Sequence, residues 1–471
     1  MLTLAEVWEA ITGKRPPYEQ AEAIRFTEVV VDSRLARPGS LFVALKGEQT
    51  DGHDYVRDAL QRGALGAIVE RQVSGCASSW SATTRRAPSK APLTPICLRA
   101  KHSLEALQRL AAYWRSRHAV RVIGITGSTG KTTTKETIAS VLGMAYRTLK
   151  SEGNYNNEIG LPLTLLQLEP EHQRVVLEMG MYQMGEIAQL AHIARPQVGV
   201  VTNVGPSHLE RLGSLARIAQ AKAELVEALP GDGYCILNAD DPRVLAMAER
   251  APSRVMTYGL DPASQVRASN IESRGLEGVR FQLHYEGETL HVKIPLLGRH
   301  SVHTALAAAA VGLVEGESWE QIIAGLRDIS AQLRLIARPG VNGSTLIDDS
   351  YNASPDSSLA ALNLLAELPG RKIAVLGDML ELGQYEEKGH ALVGRRAAAV
   401  ADALITVGPR ARISAEEARL SGLPSDRIIS VKDNAEAIQA LRKMIGPGDV
   451  VLIKGSRALR MEEIVAQLER R

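Results

Sequence analysis

Apolar positions along the chain alternate between two periods. Short runs rich in Val, Ile and Leu, at residues 27–31, 41–45, 121–126, 175–178 and 198–204, have strand length. Between them lie stretches whose apolar residues recur every three or four positions. Leu104, Leu107, Leu110, Ala111 and Trp114 predict a helix over 103–117 with Ser103 as its cap, and Leu215, Ile218, Leu225 and Leu229 predict another. Residues 265–295 alternate in a β manner (Val266, Ala268, Ile271; Phe281, Leu283, Tyr285; Leu290, Val292, Ile294), which predicts an antiparallel edge or small subsheet. From 331 onward, apolar strands at 345–348, 373–376, 403–407 and 450–454 are again separated by helical patterns. Strands alternating with helices predict an α/β protein with mainly parallel sheets.

A chain of 471 residues is too long for one core. Three domains are expected: a small N-terminal α/β domain over 1–98, a central P-loop domain over 99–330, and a C-terminal Rossmann-like α/β domain over 331–471. Residues 74–95, rich in Ser, Thr, Pro and Arg, read as a surface excursion. The net charge of +2, without long basic blocks, gives no nucleic-acid footprint. No apolar run has membrane-spanning length, and the N-terminus MLTLAEVWEA has no signal pattern, so a cytoplasmic location is expected. Three widely spaced cysteines (Cys76, Cys97 and Cys235) argue against a disulfide framework or zinc site. No obvious assembly segment is present, and a monomer is expected.

The strongest chemical signal follows the strand at 121–126. Gly127-Ser128-Thr129-Gly130-Lys131-Thr132-Thr133 leads directly into a helical pattern. Such a loop at a helix N-terminus cradles phosphates with backbone N–H groups, its lysine reaches the outer phosphates, and Thr132 can offer a hydroxyl to Mg²⁺. The usual motif places a glycine where Ile125 stands here. Glu178 and His208 follow strand ends, where ligands gather in open α/β sheets. They suit a divalent metal, although a satisfied loop or core polar group is the simpler reading of either alone. Lys222 lies on the apolar stripe of its helix. A lysine there either snorkels or is a desolvated amine with a lowered pKa. The third set of strand ends carries Asp348-Asp349-Ser350-Tyr351-Asn352, Gly377-Asp378-Met379 and Lys454-Gly455-Ser456-Arg457.

Taken together, these blocks resemble the ATP-dependent Mur ligases of bacterial cell-wall synthesis. The match is nearest to the MurF family, which adds D-alanyl-D-alanine to UDP-N-acetylmuramoyl-tripeptide. The resemblance rests on Asp32-Ser33-Arg34, Asp51-Gly52-His53, the phosphate loop, Gly153-Asn154-x-Asn156-Asn157, Glu178-Met179-Gly180, His208-Leu209-Glu210, Asp348 through Ala353, and Gly377-Asp378-Met379-x-Glu381-Leu382-Gly383. It implies a UDP-sugar site at Ser33, Arg34, Lys46 and His53, with Asn157, Asn352 and Ser456 as further substrate contacts. It implies ATP held by Gly127 to Thr133, His300, Arg334 and Asp349, and Mg²⁺ held by Thr132, Glu178, His208 and Lys222. Lys131, His208 and Lys222 would act in catalysis, Lys222 as a carbamate. Family members often carry asparagine at the positions of Ser301 and Thr304. The reaction implied runs through an acyl phosphate, with His208 or a nearby carboxylate as base. A sister Mur ligase, a folate-polyglutamylating ligase and a nucleotide-dependent binding protein remain as alternatives.

Overall fold

A computed structural model describes residues 1–47, 49–83, 90–328 and 336–470. The chain divides into two compact units. The first comprises Met1–Val122, Arg147–Met179 and Ala188–Pro196; the second comprises Ile123–Tyr146, Gly180–Ile187 and Gln197–Arg471.

The first unit opens with a helix, Leu4–Thr12, whose Thr3 and Glu6 satisfy each other's backbone N–H groups in a capping box. Its main sheet has five parallel strands in the order Val29–Val30, Leu41–Val43, Gly66–Val69, Ile96–Arg99, Ser78–Ser81. The excursion expected at 74–95 therefore contains an edge strand. Trp80 is its anchor, buried and packed edge-on against Trp8 at 5.3 Å between ring centroids. That strand also corrects the cysteine reading. Its register sets Ser79 beside Cys97, and Cys76, three residues earlier, comes within 5.8 Å (Cα–Cα) of Cys97 and forms a disulfide with it. The helix Ser103–Ser116 buries Leu107, Leu110, Ala111 and Trp114 as its spacing predicts. Ser103 is not its side-chain cap, however. Its N–H donates to Glu70 Oε1 at 2.7 Å, so a carboxylate from the sheet closes the helix start. This unit also holds a parallel pair, Thr148–Lys150 with Arg174–Glu178, and an antiparallel pair, Leu2–Thr3 with Arg25–Phe26.

The second unit contains a sheet run in the order Glu288–Ile294, Val279–Tyr285, Val266–Ser273, Arg254–Gly259, Tyr234–Asn238, Val198–Val201, Arg121–Thr126. The last four strands named, with Val266–Ser273, pair in parallel. The other two form the antiparallel edge that the β-like alternation predicts. The helix Lys131–Leu142 packs closely on the helix Trp319–Arg327: any side chain at Gly325 would run into the Val141 backbone. A second sheet has the order Ile336–Pro339, Thr345–Asp349, Val450–Lys454, Lys372–Gly377, Ala403–Val407, Ile428–Val431, with only the first strand antiparallel. Both faces of this sheet are covered. Ile347, Ala374, Leu404 and Leu452 face one helical layer, while Leu346, Ile373, Ile405 and Val451 face the other. Double burial explains why these strands read as unbroken apolar runs. Each such aliphatic side chain removed from water contributes about 1.5–3 kcal/mol. The parallel strands of each sheet end on one edge, and polar residues collect there.

Candidate active site

The phosphate loop is built by two neighbouring parallel strands. Ile125, standing where a glycine is usual, is a fully buried strand residue opposite Val200, so the turn begins two residues later at Gly127. Gly127 has φ +152°, and a Cβ there would land inside the Thr202 hydroxyl. Only glycine lets the loop pass this close to the next strand. The exit of that strand then holds the loop. Thr202 Oγ1 donates to Thr129 O at 2.7 Å, and Asn203 Oδ1 accepts the Thr129 N–H at 2.9 Å. Ser128 Oγ donates to Gly205 O at 3.0 Å and accepts the Gly205 N–H at 2.9 Å. Gly130, at φ +78°, caps the helix that starts at Lys131. The Lys131 ammonium folds back onto Gly127 O at 2.9 Å, inside the cradle its own loop makes. Thr132 is buried in the first turn and Thr133 half-buried beside it.

Lys222 lies on the helix Leu215–Glu227, which is capped by Ser214. It is only 2% exposed, among buried Ile218, Ala221, Leu225 and Val226. Burial, reinforced by the like charge of Lys131, holds its pKa well below the ordinary lysine value. No carboxylate pairs with its ammonium among the described residues. At 2% exposure the head does not snorkel to water, and burial disfavours its charged form.

His208 follows the strand Val198–Val201 in a left-handed conformation, φ +57°. Its Nδ1 lies 2.6 Å from Glu381 Oε2. The exposed Tyr182 ring stands edge-on to the imidazole at 5.2 Å. Asp356, in the first turn of the helix Pro355–Glu367, places its carboxylate against Gly205, next to the phosphate loop.

On the second sheet of this unit, register puts Asp349 opposite Lys454. Lys454 Nζ donates to Asp349 Oδ2 at 2.6 Å and to Asn352 O at 2.9 Å. Ser456 Oγ accepts the Leu380 N–H at 2.8 Å, so this hydroxyl braces the neighbouring loop. The Asn352 side chain accepts the next residue's N–H and is otherwise exposed. His300 stands exposed before the helix Ser301–Val314. Ser301 donates its hydroxyl to Gly298 O at 2.7 Å, so it serves the helix start. Arg334 lies outside the described residues.

In the first unit, Glu178 ends its strand almost fully buried, 2% exposed. Asn156 Nδ2 donates to its Oε1 at 2.8 Å, and Ser151 Oγ accepts its N–H at 3.1 Å. Asn157 caps the next helix by accepting the Gly160 N–H at 2.9 Å. Ser33 is buried and bonds Asp58, whereas Arg34 is exposed and pairs with Asp32 at 2.6 Å. Lys46 is exposed. His53 is buried with both ring nitrogens engaged: Nε2 accepts the Glu70 N–H at 2.8 Å, and Nδ1 lies 2.6 Å from Asp51. Its ring therefore fastens the Asp51-Gly52-His53 turn to the sheet.

The residues that hold others are ones to which the sequence assigned no role of their own. Asn203, Thr202 and Asn156 brace the loop and Glu178; Lys454 neutralises Asp349; Glu381 holds His208. Lys454 carries a legible signal, a lysine ending a buried apolar strand. The others act across long sequence separations, 173 residues for Glu381 and His208.

Family models match along most of the chain. The description "Mur ligase family, catalytic domain" covers residues 25–115, "Mur ligase middle domain" 125–312, and "Mur ligase, glutamate ligase domain" 333–457. The UDP-N-acetylmuramoyl-tripeptide--D-alanyl-D-alanine ligase of Synechocystis sp. is 36% identical over 451 residues, 95% of this chain and 93% of that one. A crystal structure of MurF from Acinetobacter baumannii superposes with TM-score 0.84 at 32% identity, covering 98% of both chains. MurF ligase from Thermotoga maritima in complex with ADP superposes with TM-score 0.79 at 29% identity, covering 94% of this chain and 97% of that one. Full-length coverage at this identity, together with the phosphate loop and the three-domain α/β architecture, places the chain in the Mur ligase family.

Proposed function

We propose that the chain is the ATP- and Mg²⁺-dependent ligase that joins D-alanyl-D-alanine to UDP-N-acetylmuramoyl-tripeptide in peptidoglycan synthesis. The observation that carries this reading is the braced phosphate loop with Lys131 folded into it and the desolvated Lys222 close enough to feel its charge. The loop fits a nucleotide's phosphates: Gly127 lets it run close against Thr202, Gly130 makes the left-handed turn before the helix, and the helix N-terminus adds its dipole. Thr132 offers a hard oxygen donor that fits Mg²⁺ and His208 a nitrogen donor, and Lys222 would add carboxylate oxygens once carbamylated. Bound there, the metal supplies charge neutralisation between phosphate and carboxylate.

The reaction has two steps. The tripeptide's terminal carboxylate attacks the γ-phosphorus of ATP, forming an acyl phosphate and releasing ADP. The dipeptide amine then attacks the acyl carbon, and inorganic phosphate leaves as the tetrahedral centre collapses. Lys131 stabilises charge on the transferring phosphoryl group. Residues 1–98 hold the UDP end through Ser33, Arg34 and Lys46. Residues 99–330 carry the nucleotide and metal, and a carboxylate beside the reacting amine takes its proton. Residues 331–471 supply Asp349 and Asn352 for the nucleotide and dipeptide. Aligning three reactants in this way is worth about 7–11 kcal/mol of barrier. The enzyme acts as a cytoplasmic monomer; among the described residues no helix is long and apolar enough to cross a membrane.

Phosphate release measured over a matrix of muramoyl peptides and amine acceptors tests the assignment. Turnover is expected only with a muramoyl-tripeptide and D-alanyl-D-alanine together. Turnover with a single amino acid or with a folate acceptor, and none with the dipeptide, overturns it.

A further inference from the structure

The reaction as derived leaves Glu381 without a task, yet its placement is distinctive. Its Oε2 lies 2.6 Å from His208 Nδ1. Both residues occupy the left-handed backbone region, His208 at φ +57° and Glu381 at φ +63°. Such conformations persist in non-glycine residues where the surroundings hold them, and they cluster at functional sites. Here the surroundings are specific. The Glu210 N–H donates to Glu381 O at 3.2 Å. Gly383, at φ +51°, sits so close that a Cβ would come within 2.9 Å of Glu210 Cα. On the other side, Tyr182 meets the imidazole edge-on at 5.2 Å, and the Arg211 guanidinium covers the Tyr182 ring at 4.8 Å. The ring is thus fixed by Glu381 and Tyr182, and among the described residues no hydrogen bond engages its Nε2.

We propose that Glu381 is a positioning residue for His208. Its carboxylate accepts the Nδ1–H, which fixes the tautomer carrying the lone pair on Nε2, the nitrogen that would bind the metal. A metal-bound imidazole commonly has its second nitrogen held this way. Glu381 stands on the loop after the strand Lys372–Gly377, whereas His208 follows the strand Val198–Val201. The aim of the imidazole therefore depends on these two segments being docked. The inference rests on the reading of His208 as a Mg²⁺ ligand.

The test measures Mn²⁺ binding to the ADP-loaded enzyme by electron paramagnetic resonance, beside steady-state kinetics. The pair is partly exposed, so its removal should leave the fold intact. Glu381→Ala is expected to weaken Mn²⁺ binding tenfold or more, within the ~10–100-fold range for such supporting groups, and to lower kcat with little change in KM. Glu381→Gln, whose amide oxygen still accepts the Nδ1–H, should stay within about threefold of wild type. Added to His208→Ala, Glu381→Ala should weaken Mn²⁺ binding no further. Unchanged Mn²⁺ affinity in Glu381→Ala, or an equal loss in the His208→Ala background, overturns the positioning role. Should His208→Ala itself bind Mn²⁺ normally, the metal reading of His208 falls, a separate and distinguishable failure.

Discussion

The Asp349–Lys454 pair gives the sharpest test of how the second sheet holds its polar edge. The two side chains are 14% and 2% exposed and meet at 2.6 Å. Their burial is unequal, and so are the consequences of removing each. Asp349→Ala strands an ammonium among apolar strands with Asn352 O as its remaining acceptor at 2.9 Å. Removing one partner of a buried pair costs about 3–5 kcal/mol. Lys454→Met keeps the aliphatic stem packed and leaves a carboxylate that water can reach, so its cost should be smaller by about 1–2 kcal/mol. The double variant Asp349→Leu with Lys454→Met replaces both charges by apolar volume and should recover most of the loss. At ~2–4 °C per kcal/mol for a domain of this size, Asp349→Ala should lower the relevant calorimetric transition by on the order of 10 °C. Scanning calorimetry of the four proteins decides the matter. If Lys454→Met is as damaging as Asp349→Ala, or if the double variant shows the sum of both losses, the pair is not the unit that matters.

Lys131→Ala should abolish acyl-phosphate formation, a loss of at least about 10³-fold, while circular dichroism and the melting temperature stay at wild type; near-normal turnover refutes the phosphate assignment. Lys222→Ala should lose most activity and regain part of it with added formate or acetate, which can stand in for a carbamate oxygen. An active, rescue-independent Lys222→Ala would remove that residue from the site. Gly127→Ala should abolish ADP binding by calorimetric titration, because the new methyl collides with Thr202. His390 predicts the acid behaviour. Its Nε2 accepts the Met379 N–H at 3.1 Å, its Nδ1 lies 2.8 Å from Glu386 O, and burial lowers its pKa against the opposing effects of Glu386 and Asp378. The unfolded state therefore binds more protons below about pH 6.5, and stability falls as pH drops from there toward the lowered value. His390→Asn should show a shallower dependence of the urea midpoint between pH 6.5 and 5; an unchanged slope refutes the assignment.

Patterns with one strong period were read correctly, and for a physical reason. The strands at 345–349 and 450–454 are buried on both faces, so burial and sequence carry the same information. Lys222 was conspicuous because a charge on an apolar stripe contradicts local pattern. The edge strand Ser78–Ser81 was not legible: it is short and polar, and its one buried anchor, Trp80, depends on Trp8. The disulfide depended on the same hidden strand. The resemblance implied His53 as a UDP-sugar contact; its ring lies inward, with Nε2 accepting the Glu70 N–H. Glu381 lay in plain view within a quoted motif, but nothing local announces a partner so far upstream. Long-range polar pairing leaves no period to find.

The way Ser128 and Gly205 hold one another bears on how the enzyme could be blocked. Because the loop's serine, threonine and asparagine groups already answer each other, its outward-facing amides form a receptor that keeps its shape without a guest. A rigid pyrophosphate mimic would need only the Lys131 ammonium to leave Gly127 O and would otherwise lose little in reorganisation. A compound that needs the loop to open would first have to undo those mutual bonds, and its affinity would suffer accordingly.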